Sequence, residues 1–111
     1  MANTFKNAKV RQMGTGATAL YTVPSSTTTV ILGLTLANTN ASVRTVTVSW
    51  IDKSVHTTNV TYLLNEVSIP GDTTLEVFAG QKIVLETTDV LNVLASSTAS
   101  IDATLSYMEI T

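Results

Sequence analysis

Residues 28–51 have the sequence TTVILGLTLA-NTNAS-VRTVTVSWI, in which two apolar ribbons flank five loop-forming residues. Large apolar residues recur at every second position: Val30, Leu32, Leu34 and Leu36 in the first ribbon, and Val46, Val48 and Trp50 in the second. A period of two, with threonine and serine filling most of the positions between, predicts half-buried β-strands. Because the linker at 38–42 has the length and composition of a hairpin loop, we expect these two strands to pair antiparallel.

Strand patterns continue on both sides of this centre. Further strands are predicted at 17–23, 59–69, 73–78, 81–86, 89–95 and 100–110, which gives about eight in total. Within 59–69 the apolar positions change parity after Leu64, so we expect a bulge near Asn65-Glu66. Pro70-Gly71 predicts a type II turn with positive φ at the glycine, and Ala79-Gly80 predicts a compact hairpin.

The fold class follows from these signals. We predict an all-β domain at 17–111, an antiparallel two-sheet β-sandwich of jelly-roll-like type, preceded by an extended N-terminal arm at 1–16. A chain of 111 residues can bury one core. No stretch shows helical periodicity over a helical length, and no internal repeat is evident.

Composition bounds the classes of function. Charged residues make up 13% of the chain, against about a quarter in typical soluble domains, which is typical either of a protein buried in an assembly or of a β-protein that is merely rich in hydroxyls. The absence of cysteine excludes disulfides and thiolate sites and favours intracellular assembly. A net charge of −2, no secretory signal and no long apolar run predict neither a nucleic-acid partner nor a membrane partner.

The charge is unevenly distributed. Lys6, Lys9 and Arg11 lie in the first sixteen residues, which contain no acid, whereas the rest of the chain has three cations and eight acids. This pattern predicts an arm that docks on an acidic surface, such as a neighbouring copy, unless the arm is only a solvated tail. The candidate partner-binding residues are therefore Phe5, Lys6, Lys9, Val10 and Arg11.

No constellation of residues predicts catalysis or metal binding. His56 is the single histidine and lies in a polar segment, 52–57, where a surface role is expected. It lacks the recognisable partners that a nucleophilic triad or a zinc site needs. The acids do not follow calcium-loop spacing, and Glu76 and Glu86 would at most face one another across the predicted hairpin. We therefore predict no enzyme activity, no catalytic residue, no cofactor and no metal.

Several segments resemble small virion structural proteins of tailed bacteriophages. They are LYTVP at 20–24, TTTV at 27–30, LTLANT at 34–39, LEVF at 75–78, KIVL at 82–85, DVL at 89–91 and LSYME at 105–109. They follow the order of that family's strands from about residue 17 to the end of the sequence. The resemblance implies a β-sandwich present in many copies on the particle, as a head decoration (cement) protein or a neck or tail component. It implies no catalytic residues.

The leading hypothesis is thus a non-enzymatic capsid decoration protein in the virion, assembled in the host cytoplasm. It would stabilise the head through its N-terminal arm and through subunit contacts. Its expected partners are copies of itself, with a trimer matching three-fold lattice positions, and the major capsid protein or neck and tail proteins. The alternatives are a neck, tail or fibre-base component, or a glycan-binding adhesin module using the loops at 38–42 and 52–57.

Overall fold

A computed structural model describes residues 2–52, 60–78 and 81–111. These residues form nine strands: β1 (Asn3–Val10), β2 (Thr18–Thr22), β3 (Thr28–Asn38), β4 (Arg44–Ile51), β5 (Val60–Ile69), β6 (Thr74–Glu76), β7 (Ile83–Leu85), β8 (Val90–Ala95) and β9 (Ile101–Ile110). Across the same ranges no helix is long and apolar enough to cross a membrane. The predicted surface position of His56 and most of the polar segment 52–57 lie outside the described residues.

The strands form two antiparallel sheets. The front sheet has the order β1-β9-β3, with β6 and β7 both paired to the far edge of β3. The back sheet has the order β2-β8-β4-β5. If β6 and β7 are counted as one interrupted strand, eight strands are divided equally between two sheets in the manner of a jelly roll. The predicted all-β sandwich is confirmed.

The prediction that the two central strands form a hairpin is wrong. β3 pairs with β9, β6 and β7 in the front sheet, whereas β4 pairs with β5 and β8 in the back sheet. The loop at 38–42 therefore arches from one sheet to the other. Asn38 is buried at the start of this arch and donates from Nδ2 to the carbonyl oxygens of Ser42 at 2.9 Å and Ile69 at 3.0 Å.

The predicted inward face of β3 is correct for only half of its length. Ile31 pairs with Tyr107 of β9, and the next paired residue of β3 is Gly33. Leu32 is therefore the extra residue of a bulge, which changes the parity of the strand. As a result Leu34 and Leu36 are buried as predicted, but Ile31 enters the core in place of Val30 and Leu32.

The bulge expected in β5 is confirmed. Val46 pairs with Val67 and Val48 pairs with Leu64, so β5 contains an extra residue at Asn65-Glu66. Glu66 has a φ of 51°.

The predicted type II turn is wrong in its detail, since the left-handed residue of the turn is Asp72, with a φ of 56°. Gly71 serves a different purpose. Its backbone packs against the carbonyl group of Ala41, where a Cβ atom would clash.

The hairpin predicted around Ala79-Gly80 is not formed by the strands on either side of it. β6 pairs with residues 35–37 of β3, and β7 pairs with residues 29–31, both antiparallel. The two short strands therefore run in the same direction along one edge of β3, and Glu76 and Glu86 do not face one another. Residues 79–80 themselves lie outside the described ranges.

The core lies between the two sheets. It includes fully buried side chains from both: Ile31, Leu34, Leu36 and Leu105 from the front sheet, and Val46, Val48, Leu91 and Val93 from the back sheet. In β9 every second residue from Ile101 to Tyr107 is buried, so one face of this strand lies in the core.

Candidate interaction surface

Most of the segment predicted to be an arm is a strand of the front sheet. Residues Asn3–Val10 form β1, which pairs antiparallel with β9 along its whole length and lies at the edge of the sheet. Beyond this strand, Met13 is fully buried, and its backbone N–H donates to the carbonyl oxygen of Ile101 at 2.7 Å. The N-terminal segment is thus held by backbone pairing and by one core side chain.

The five candidate residues lie on both faces of β1 and just after it. Phe5 and Lys9 are on the outer face, where Phe5 is 72% exposed. Lys6 and Val10 alternate with them and point inward, and Val10 packs against the core. Arg11 follows the strand and is exposed. The binding role of these residues remains a prediction.

An acidic partner for the basic segment lies within the same chain. Lys6 Nζ forms an ion pair with Glu109 Oε1 on β9 at 2.8 Å. Farther along, the backbone N–H of Gln12 donates to Asp102 Oδ1 at 2.7 Å. Lys9, Val10 and Arg11 line a shallow depression of about 220 Å³ whose opposite side includes Asp102. One of the three N-terminal cations, Lys6, therefore helps to dock β1 on β9.

Glu109 is the centre of a buried polar network. Its side chain is 8% exposed, and Oε2 accepts a hydrogen bond of 2.6 Å from Tyr21 OH. The same hydroxyl group lies 2.7 Å from Thr29 Oγ1, so β9, β2 and β3 meet at one point between the sheets. The ring of Tyr21 also packs on that of Tyr107, with centroids 4.2 Å apart.

The network shifts the acid–base behaviour of its members. The hydrogen bonds from Lys6 and Tyr21 hold the pKa of Glu109 below its ordinary value of 4.5. Hydrogen bonding to Glu109 raises the pKa of Lys6 above 10.5, and burial raises the pKa of Tyr21 above 10.0. All three groups therefore keep one protonation state around neutral pH, as expected of a structural network.

The outer face of the front sheet carries a row of apolar side chains that runs across four strands, from β1 through β9 and β3 to β7. Phe5 of β1 pairs with Met108 of β9, Met108 pairs with Val30 of β3, and Val30 pairs with Val84 of β7. Phe5 and Val84, at the two ends, are 72% and 51% exposed, and the two central residues are half-buried. We call these four residues the apolar row.

The bulge in β3 extends this surface. It turns Leu32 outward, where the side chain is exposed and lines a depression of about 330 Å³ together with Phe5 and Ser106. Because the sequence placed Leu32 on the same face as Leu34 and Leu36, it did not reveal that this side chain is exposed. The cross-strand register that aligns Phe5 with Val84 could not have been found without the strand order.

Two further groups of polar residues could bind a ligand, the loop at 38–42 and a cluster of carboxylates. In the loop at 38–42, the amide side chains bind the loop itself, since Asn38 Oδ1 accepts from the backbone N–H of Asn40 and Asn40 Oδ1 accepts from that of Ser42. The structure also brings together three carboxylates that the sequence did not suggest as a group, those of Asp52, Glu86 and Asp89. Glu86 and Asp89 share the turn between β7 and β8, whereas Asp52 follows β4, so no local spacing could have joined Asp52 to the other two.

No family model matches the sequence, and no curated protein matches it either. Solved structures do share its fold. Over its full length the chain is similar to a chain of the capsid of Helicobacter pylori bacteriophage KHP30, with a TM-score of 0.58 and 9% identity, and it covers 89% of that chain. Over 98% of its length it is similar to a chain of the Bacillus endospore appendages, a family of disulfide-linked pili, with a TM-score of 0.52, 14% identity and 88% coverage.

A larger viral protein contains the same fold. The chain is similar over 96% of its length to a chain of the infectious bursal disease virus T13 particle, with a TM-score of 0.58 and 9% identity. It covers 30% of that viral chain. At these identities the likeness shows the shared sandwich and nothing finer.

Proposed function

We propose that the protein is a non-enzymatic structural subunit of a virion, specifically a capsid decoration (cement) protein, which associates with further copies of itself through the outer face of the front sheet. The observation that carries this proposal is the apolar row. It is an uncharged strip that runs from the edge strand β1 to β7, with large exposed side chains at both ends. Contiguous exposed apolar surface of this kind marks interaction sites on soluble proteins.

The physical reason for association is burial of this surface. Each Å² of apolar surface removed from water contributes roughly 25 cal/mol, and a stable interface buries at least about 1,000 Å² in total. The row and Leu32 lie on the outer face of the sheet, and the open edge of β1 beside them adds unpaired backbone groups. We propose a second copy of the chain as the occupant, because the low net charge causes little electrostatic repulsion between copies.

The comparisons support assembly in many copies. Two structures whose own chains are also covered to nearly nine-tenths are described as a bacteriophage capsid and as pili. Both descriptions are of multi-copy assemblies, which agrees with a domain whose described part carries an association surface. The phage capsid favours a virion role, in keeping with the resemblance of the sequence to tailed-phage structural proteins.

A fibre or tail component is the second candidate. Head-to-tail assembly requires two different surfaces on each subunit. The chain offers a second exposed edge at β5 of the back sheet, where Val60 and Tyr62 are largely exposed. The pilus-like match over the whole chain agrees with this arrangement.

Cryo-electron microscopy of the particle that carries the protein tests the proposal. A decoration protein is expected at many equivalent sites over the whole shell, with the front sheet against a neighbouring copy. Density confined to a tail, neck or fibre would contradict the decoration role and favour the second candidate. Absence of the protein from purified particles would contradict a virion role altogether.

A further inference from the structure

Three carboxylates from two segments meet at one end of the sandwich. Asp52 directly follows β4, Glu86 directly follows β7, and Asp89 directly precedes β8. One carboxylate oxygen from each lies within 4.8 Å of the other two. Asp89 is buried, Asp52 is half-buried and Glu86 is exposed, so the group extends from the interior to the surface. The side of the group at Glu86 is therefore open to solvent.

Asp89 supplies a second, independent observation. Its side chain is 0% exposed, and Oδ2 accepts hydrogen bonds from Trp50 Nε1 at 3.1 Å and from the backbone N–H of Glu86 at 2.9 Å. Oδ1 is equally buried but has no hydrogen-bond partner in the structure as described. A buried carboxylate oxygen is unfavourable unless a donor or a cation reaches it. A hydrogen-bond donor or a cation is therefore expected at Asp89 Oδ1.

The local backbone presents two of the carboxylates together. The N–H of Asp89 donates to the carbonyl oxygen of Glu86 at 3.1 Å, which closes a tight turn between β7 and β8. Thr88 within this turn has a φ of 69°. Because the carbonyl oxygen of Asp89 also accepts from the N–H of Val23 at 2.9 Å, the turn is fixed to the rest of the sandwich. The buried carboxylate is thus held in a defined position.

The donor set indicates which cation would bind. Carboxylate oxygens are the ligands of hard cations, and Ca²⁺ binds them at about 2.3–2.6 Å, so two oxygens on one Ca²⁺ ion can be up to about 5 Å apart. Mg²⁺ binds at about 2.0–2.1 Å and needs oxygens no more than about 4.2 Å apart. Zn²⁺ prefers nitrogen and sulfur ligands, which these three side chains do not provide. Because the three oxygens lie within 4.8 Å of one another, all of them fit around one Ca²⁺ ion, whose flexible geometry demands the least rearrangement of the site.

We propose that Asp52, Glu86 and Asp89 form a calcium-binding site that ties the two sheets together. Asp52 and Asp89 flank strands of the back sheet, whereas Glu86 ends a strand of the front sheet. A cation shared among them would link the sheets at this end of the sandwich. A ligand that binds only the folded state stabilises it by mass action, so calcium would raise the thermal stability of the protein.

Terbium luminescence of the full chain tests this proposal. Trp50 is the only tryptophan, and it lies beside Asp89, so excitation of its indole ring should sensitise a bound Tb³⁺ ion. We expect saturable Tb³⁺ luminescence that Ca²⁺ displaces. The variants E86Q and D52N should weaken Tb³⁺ binding about tenfold or more, because affinity follows the number of ligand charges. The control variant E76Q, an exposed glutamate on β6 outside the group, should bind as the wild type does.

Thermal unfolding gives a second readout that does not depend on the probe. Calcium should raise the Tm of the wild type and of E76Q by about 4 °C or more, and should leave E86Q nearly unchanged. Non-saturable luminescence, or equal Tb³⁺ affinity in wild type and E86Q, would overturn the proposal. So would a calcium-induced rise in Tm that E86Q and D52N both retain.

Discussion

Gly71 shows how one residue sets the distance between two loops. Its backbone packs against the carbonyl group of Ala41 in the arch at 38–42, and the N–H of the next residue, Asp72, donates to the carbonyl oxygen of Asn40 at 2.9 Å. The sequence predicted a turn here, but it wrongly predicted that Gly71 is needed for a positive φ. The positive φ falls on Asp72, and Gly71 is needed because no Cβ atom fits beside Ala41.

The variant G71A tests this explanation. The added methyl group must displace backbone rather than a flexible side chain, so we expect a loss of about 1–3 kcal/mol in the free energy of unfolding. Gly16 is the matched control, because a Cβ atom there would meet no atom within 4 Å, and G16A should change the free energy by less than about 0.5 kcal/mol. Urea denaturation measures both. Equal effects of the two substitutions would contradict the explanation.

At the scale of elements, β1 is docked on β9 by backbone pairing and by the ion pair between Lys6 and Glu109. The variant K6M should lower the Tm at neutral pH. Because the folded-state pKa of Glu109 lies below 4.5, its contribution is present above that value and is lost as the pH falls through the folded pKa. The Tm difference between K6M and the wild type should therefore narrow at about pH 3.

Lys9 provides the control for this prediction. It lies on the other face of β1, is exposed, and makes no ion pair within the described part of the chain. K9M should therefore leave the pH dependence of the Tm as it is in the wild type. A difference between K6M and the wild type that is the same at both pH values would contradict the role assigned to the ion pair.

The elements also show what the sequence could predict. Apolar alternation located the strands, and the parity change in 59–69 correctly indicated a bulge in β5. The bulge at Leu32 gave no such signal, because Val30, Ile31, Leu32 and Leu34 are all apolar and either parity would bury large side chains. Where both faces of a strand are apolar, its register is decided by the neighbouring strands, which the sequence does not reveal.

For the molecule as a whole, the sequence predicted the wrong pairing of β3 and β4, which belong to different sheets. A five-residue loop can close a hairpin or arch between two sheets, and local composition does not distinguish the two outcomes. Here the buried amide of Asn38 and the close approach at Gly71 stabilise the arch. The hydrogen bond from Asn38 to Ile69 and the contact of Gly71 with Ala41 join residues that are distant in sequence. For the same reason, neither the apolar row nor the carboxylates of Asp52, Glu86 and Asp89 could be assembled from the sequence.

The molecule is proposed to associate with further copies of itself through the outer face of the front sheet. Val84 lies at one end of the apolar row and is 51% exposed, whereas Val43 is 57% exposed but belongs to neither sheet. V84S and V43S therefore remove similar apolar groups from different surfaces. If the claim is correct, only V84S should weaken association.

Sedimentation equilibrium of the wild type, V84S and V43S tests this claim most directly. We predict that the wild type and V43S form the same oligomer, and that the dissociation constant of V84S is about tenfold higher or more, which corresponds to about 1.4 kcal/mol. A wild-type protein that stays monomeric at every concentration measured, or a V84S variant that associates as strongly as V43S, would contradict the claim.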